Sequence, residues 1–323
     1  MISRPLTVIV GVAGAILLLL LPLLGSPTWV DLAFRTCSVI ILAVSWNLMA
    51  SAGLISLGHS GFFGVGGYVA ILTANKLGAS FAVTLLGAVL AGAILGASLA
   101  LITGRLKGIY FAIATLAMSE GLRVAAVMLP GVTGGSRGAY LAPSVPANVT
   151  SINLAMSIAA VAVCVIAWLV SRSRFHFAFR AMRANESASQ MLGIFPLKYR
   201  TGITAISGAM ASAAGGIELW HGGYLDPAVA FDLHITIMAQ IAPILGGIYT
   251  LSGPILGSVA TIALGDFTRL VLGHIEGVSL LVFGGVLVVC VLYLPQGIHG
   301  ALSRLGRKRN RPVADAAAAG ASQ

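Results

Sequence analysis

Charge is what this chain has least of: only 9% of its 323 residues are Asp, Glu, Lys or Arg. Against 58% apolar residues and a mean hydropathy of +0.99, that scarcity excludes a water-facing globular fold. Cysteine is also rare. Cys37, Cys164 and Cys290 stand singly in apolar segments, which excludes a disulfide framework or a metal site and leaves them as small hydrophobes. No G-x-x-x-x-G-K-[ST] loop is present, so any ATP chemistry must reside on another polypeptide. No stretch between apolar segments is long enough for a soluble domain. The two longest are Ser171 to Arg200 and Pro130 to Asn153.

What the chain has instead is apolar length. A hydrocarbon core of roughly 30 Å requires about 20 apolar residues per helical crossing. We count ten such stretches: Leu6 to Leu24, Thr36 to Ala52, Leu54 to Ala74, Phe81 to Thr103, Ile109 to Leu129, Leu154 to Val170, Thr201 to Leu219, His234 to Tyr249, Gly253 to Leu272 and Val278 to Leu294. The first is too long for the apolar core of a signal peptide, and Gly25-Ser26-Pro27 is a poor cleavage site, so it reads as a retained span. The second and third are interrupted by Gly53, Gly58, Gly61, Gly64, Gly66 and Gly67, the mark of a re-entrant or broken helix.

The net charge of +10 would suggest a nucleic-acid partner in a soluble protein. Here the basic residues gather in loops, as the positive-inside rule expects, so nucleic acid is not a partner. With ten crossings and a cytoplasmic N-terminus, Arg4, Arg105, Lys107, Arg172, Arg174, Arg180, Arg183, Lys198, Arg200 and the run Arg304 to Arg311 all fall inside. Arg35, Lys76, Arg137 and Arg269 fall outside, with Asp31, Asp226, Asp232 and Glu276. An odd count would put a large basic group on the wrong side, so both termini are expected in the cytoplasm. The alanine-rich end after Asp315 has nothing to bury and reads as a disordered tail.

Forty glycines, many within spans as at Gly87, Gly92 and Gly96, indicate helices packed closely through small residues. Glycine-rich interruptions occur in both halves, Gly53 to Gly67 and Gly246 to Gly257, a pattern that repeat-built transporters use to mark a mid-membrane path.

Between Phe177 and Pro196 the sequence has the grammar of a short helix. Asn185 can cap it, Ala188, Gln190 and Met191 favour it, and Gly193 followed by Pro196 stops it. Such a helix places Met191 and Leu192 near one apolar side and Arg183, Glu186 and Gln190 on a polar one. From the residues alone it is either an interfacial element presented to a cytoplasmic partner or a basic loop held by lipid headgroups.

The run Arg180-Ala-Met-Arg183-Ala-Asn185-Glu186-Ser-Ala-Ser-Gln-Met-Leu192-Gly193-Ile194 resembles the cytoplasmic loop of LivM-type permeases of branched-chain amino-acid ABC importers, close to R-A-I-R-E-N-E-x-A-A-E-A-L-G-I. Asn47 to Tyr68 is similar to that family's N-L-x(2)-G-x(2)-G-x-x-S-L-G-H-x-x-F-x-G-x-G-A-Y, with Ser51 where glycine is frequent. Arg105 to Ala117 with Thr133 to Gly138, and Leu245 to Gly257, resemble further family segments in the same order. Arg137 stands where many members carry an acidic residue, which changes the charge at the outer mouth.

The resemblance implies an all-α polytopic membrane protein of about ten transmembrane helices, an ABC importer permease fold with an internal pseudo-repeat. Residues 1–303 would form the permease domain, with a coupling loop at 171–200, and 304–323 a basic cytoplasmic tail. Arg180, Arg183, Asn185, Glu186, Leu192 and Gly193 would couple to the ATPases. Implied partners are a homologous LivH-like permease subunit, two ATP-binding cassette subunits, a periplasmic substrate-binding protein and membrane lipid, all at a prokaryotic inner membrane. No cofactor, metal or catalytic residue is implied. Family substrates include branched-chain amino acids, urea and short amides.

Intramembrane charge is costly, so Glu120 with Arg123, and Asp266 with Arg269, each three residues apart, are expected to pair or to line a wet path. Ser56, His59, Thr115, Ser119 and Glu120 are the candidate polar groups of the translocation path. Two other readings compete. Gly58-His59-Ser60-Gly61 matches the G-x-S-G motif of intramembrane serine proteases, which then needs a base near Ser60. An ion-driven secondary transporter would need interior carboxylates, and it leaves the 177–196 helix without a task.

Overall fold

The computed structural model describes residues 25–142 and 148–272, together with residue 20 and the isolated positions 281, 282, 284, 285, 288, 289, 292 and 297–300. Twelve α-helices follow in this described chain: α1 (Pro27–Ser51), α2 (His59–Leu77), α3 (Phe81–Ile102), α4 (Ile109–Met128), α5 (Pro130–Thr133), α6 (Val149–Arg172), α7 (Arg174–Ala184), α8 (Glu186–Met191), α9 (Pro196–Gly222), α10 (Pro227–Ala230), α11 (Leu233–Gly246) and α12 (Ser252–Leu272). Two-residue strands β1 (Ala139–Tyr140) and β2 (Tyr224–Leu225) pair antiparallel, Ala139 opposite Leu225. The protein is an all-α polytopic membrane protein.

Among the described residues six segments are long and apolar enough to cross a membrane: α1, α3, α4, α6, Pro227–Gly246 and α12. Helices α2 and α9 reach 19 and 27 residues but lack that apolarity. The reason is position. Both are packed inside the bundle, where lipid does not solvate them and small residues serve better than large ones. The expected spans at 6–24 and 278–294, and the tail 304–323, lie outside the described residues except for the isolated positions named above.

Helix α3 shows the division of labour. Val83, Leu86, Leu90 and Ile94 are exposed along one face, the surface that meets lipid tails. Thr84, Ala88, Gly92, Gly96 and Ala100 are buried along the other. There the α3 backbone meets α9. A Cβ on Gly92 would strike the carbonyl of Gly208, and one on Gly96 the carbonyl of Thr204. Helix α2 meets α9 in the same way, Gly66 against the Ser212 carbonyl and Gly215 against that of Phe63.

Helix α1 is the hub. Pro27 opens it, and an Asp31–Arg35 pair at 2.7 Å carries it nine residues earlier than the apolar stretch alone indicates. Phe34, Ile41, Trp46 and Met49 are buried among α6, α9, α11 and α12. After Ser51 the helix breaks, as the glycines forecast, but only at 52–58. Gly53 turns with φ +80°, Gly58 caps the next helix, and Gly61, Gly64, Gly66 and Gly67 lie inside α2. The Trp46 Nε1–H donates to the Ser56 carbonyl at 2.8 Å and fixes the broken segment against α1.

Helices α11 and α12 form a hairpin in which a Cβ on Gly257 would strike the Ala242 carbonyl. One expected pair is corrected here: Asp266 faces Arg35 on α1 at 3.6 Å, because α12 packs that side of its helix on α1.

Gly215→Leu should abolish the monodisperse detergent-solubilised protein in size-exclusion chromatography, whereas Gly121→Ala, at a position with open space around it, should leave that peak unchanged.

Candidate functional site

Helix α2 begins inside the bundle, which poses a problem of backbone chemistry. Its first amides have no partner in their own helix, and lipid offers none. Side-chain hydroxyls take that place, at the helix start and in the segment that leads into it. The Leu57 amide donates to Thr115 Oγ1 of α4 at 2.9 Å, and the Ser60 amide to Thr236 Oγ1 of α11 at 2.9 Å. The Gly58 amide donates to Ser56 Oγ at 3.2 Å. Gly58 must lack a side chain, since a Cβ there would strike the Thr115 carbonyl.

Further hydroxyls close the cluster. Ser60 Oγ lies 2.8 Å from Ser119 Oγ and accepts from Thr236 Oγ1 at 3.1 Å. Ser207 Oγ donates to the Ser45 carbonyl at 2.8 Å and lies 3.3 Å from His59 Nε2. Every one of these side-chain-bearing residues is buried. Four sequence-selected residues, Ser56, His59, Thr115 and Ser119, are therefore brought together, joined by Ser60, Ser207 and Thr236. The last two are lone hydroxyls in apolar helices, with no flanking pattern to single them out. Glu120 is elsewhere: half-exposed on α4, its carboxylate accepts from Arg123 Nε at 2.8 Å. The side-chain partners given for Ser60 are hydroxyls and His59 reaches Ser207, so among the described residues the serine of the G-x-S-G motif is not set against a histidine base.

At the other informative segment, Asn185 ends α7 and caps α8, its side chain accepting from the Ala188 amide at 3.0 Å. Gly193, at φ +79°, stops the helix. Glu186 turns inward. Its carboxylate meets Lys107 Nζ of the α3–α4 loop at 2.8 Å and buried Arg200 Nη2 of α9 at 3.1 Å. Burial pushes this carboxyl upward, but the two cations outweigh it and hold it below its ordinary 4.5. Met191 and Leu192 are left 90% and 79% exposed, and Phe195 and Phe177 are exposed as well.

Arg183 reaches in the opposite direction. Its guanidinium lies 3.9 Å from the centre of the Tyr249 ring and contacts the Ser51 carbonyl at 3.5 Å. Tyr249 adopts φ +66°, a conformation side chains resist, and Asn47 holds it there. The Asn47 side chain accepts from the Tyr249 amide and donates to the Thr250 carbonyl, both at 2.9 Å. Arg183 thus ties α7 to the end of α1 and to the α11–α12 turn. Arg180 is exposed.

A bundle whose central helices carry small and hydroxyl side chains, surrounded by lipid-facing helices and bearing a loop helix with an exposed apolar tip at one end, is the architecture of a polytopic membrane protein. The family described as branched-chain amino acid transport system / permease component matches residues 28–291, and the chain belongs to it. It is 26% identical over 317 residues to the high-affinity branched-chain amino acid transport system permease protein LivM of Escherichia coli, covering 89% of this chain and 73% of that protein. To the LivM protein of Salmonella typhimurium it is 25% identical over 307 residues, covering 86% and 71%.

Glu186→Gln should speed hydrogen exchange at the amides of 187–194 roughly tenfold, as loss of a charge-assisted bond of about 1.5 kcal/mol implies. A carboxyl with a lowered folded pKa stabilises above its unfolded value and loses that contribution as pH falls through the folded one. The native loop should therefore keep the same protection factors at pH about 8 and about 6, once the pH dependence of intrinsic exchange is divided out, and lose protection only as pH falls below the ordinary carboxyl value of 4.5.

Proposed function

We propose that this chain is the permease subunit that forms the solute path of an ATP-driven importer for branched-chain amino acids and receives the ATPase stroke through α7 and α8. The observation that carries the reading is the construction of α8. Glu186 anchors it from within, while Met191 and Leu192 stand almost fully in solvent, where burial against a partner would recover about 1.5–3 kcal/mol for each. A free basic loop held only by lipid headgroups would need neither feature.

In this reading the basic end faces the cytoplasm and meets two ATP-binding cassette subunits. A homologous permease completes the path, and a substrate-binding protein delivers solute at the far end. ATP binding closes the nucleotide-binding pair and moves α8. Arg183 passes the displacement to Tyr249 and Ser51, and so to α1, α11 and α12. The ATPase must bind the two permease states with different affinity, or no shift results. The buried hydroxyls around Ser60 then lie on the inner wall of the moving bundle.

Two measurements test this. In proteoliposomes holding the whole importer, leucine should stimulate ATP hydrolysis. Stimulation by urea alone would keep the importer class and change the solute, and ion-driven uptake by the purified chain without ATPases would overturn it. Leu192→Glu and Gly193→Pro should each abolish solute-stimulated ATPase while leaving the protein inserted; normal uptake by either would remove α8 from the coupling role.

A further inference from the structure

Away from the hydroxyl cluster, at the end of the bundle opposite Arg183, a cavity of about 640 Å³ opens between α1, α9, α11 and α12. Its volume lies within the range of small-molecule sites, about 300–1,000 Å³. The sequence reading assigned it nothing, because its walls come from segments far apart in the chain. Val39 and Leu42 of α1, Met238 of α11 and Ile262 of α12 give it an apolar floor.

The polar part of the wall is unusual in one respect. Arg35, Glu218, His221 and Thr261 all line this cavity, and each carries one buried polar atom, Nε, Oε2, Nδ1 and Oγ1 in turn, without a hydrogen-bond partner among the described residues. Buried polar groups are normally satisfied, so four orphans around one space point to a polar occupant. Their charges say which kind. Arg35 is already neutralised by Asp31 and Asp266. Glu218 has the Ser38 hydroxyl as a hydrogen-bond partner but forms no ion pair with any described residue, although it sits in a membrane helix, where a carboxylate without a paired cation is a functional group by default.

We propose that this cavity is a solute chamber within the single subunit, selective for a small primary ammonium compound with a branched apolar body. Glu218 binds the ammonium. The apolar body lies along Val39, Leu42, Met238 and Ile262, and the Arg35 Nε–H is the donor available to a carboxylate at the solute's other end. The identification of leucine as the occupant rests on the importer reading above; the chamber and its preference for an ammonium do not.

The test uses the full importer in proteoliposomes, with Cys37, Cys164 and Cys290 changed to alanine and Val229→Cys, at an exposed residue of the lining that is not placed against the solute, as reporter, labelled by a small thiol reagent. Leucine at about ten times its dissociation constant should slow labelling roughly tenfold. Its decarboxylated analogue 3-methylbutylamine should also protect, and its deaminated analogue 4-methylpentanoate should not. Glu218→Gln should remove protection by leucine, and Glu218→Asp, which keeps the charge and controls for folding, should retain it. Labelling unaffected by all three compounds would overturn the chamber even if leucine uptake proceeds. Protection by 4-methylpentanoate equal to that by leucine, or protection that survives Glu218→Gln, would overturn the role of Glu218. Protection by the two amines in an importer that does not accumulate leucine would uphold the chamber and overturn the leucine assignment.

Discussion

Between α9 and its neighbours α2 and α3 the backbones touch, and there is no room for a single Cβ at Gly66, Gly92, Gly96 or Gly215. In lipid this contact carries unusual weight, because tails are as apolar as side chains and helices gain little from hiding apolar surface from them. Close approach replaces that missing drive. It also frees α9 from facing lipid, so the helix can carry Arg200, Ser207, Ser212 and Glu218 without exposing them to hydrocarbon. The hydroxyl cluster and the far cavity both depend on that freedom.

The same helix joins the two ends of the molecule. Arg200 holds Glu186 and the loop helix, and Glu218 stands in the cavity wall, 18 residues or about 27 Å along one continuous rod. Helix α1 runs beside it in the opposite sense, with Asn47 bracing the Tyr249 turn near one end and Arg35 in the cavity wall near the other. A shift of the loop helix therefore has two stiff members through which to reach the cavity, and neither contains a proline or a break between those points.

Local grammar was legible in the sequence wherever one residue decides it. Asn185 caps α8 through its side chain, Gly193 stops it because it has none and can turn to positive φ, and the break after Ser51 follows from Gly53. Small residues at Gly92 and Gly96 announced a tight interface. What could not be read was which partner each polar group would choose. Nothing in the spacing says that Asp266 prefers Arg35 to Arg269, that Glu186 turns inward to Lys107 and Arg200, or that Ser207 and Thr236 meet Ser56 to Ser60. Those choices are made by helix rotation, which apolar periodicity leaves loose in a bundle apolar on most faces. Helices α2 and α9 stand among the ten apolar stretches counted in the sequence, yet they fall short of the apolarity of the six spans because they have little contact with lipid.

The acceptors that satisfy the start of α2 are not made when α2 is made. Leu57 waits for Thr115, 58 residues later, and Ser60 for Thr236, 176 residues later. At a translation rate of roughly 5–20 residues per second, the second interval lasts on the order of 10–35 s. During that time the amide of Ser60 can be satisfied only by water, lipid headgroups or the insertion machinery, so α2 cannot settle at its final depth one helix at a time. The chain completes its centre last, and the order of synthesis differs from the order of assembly.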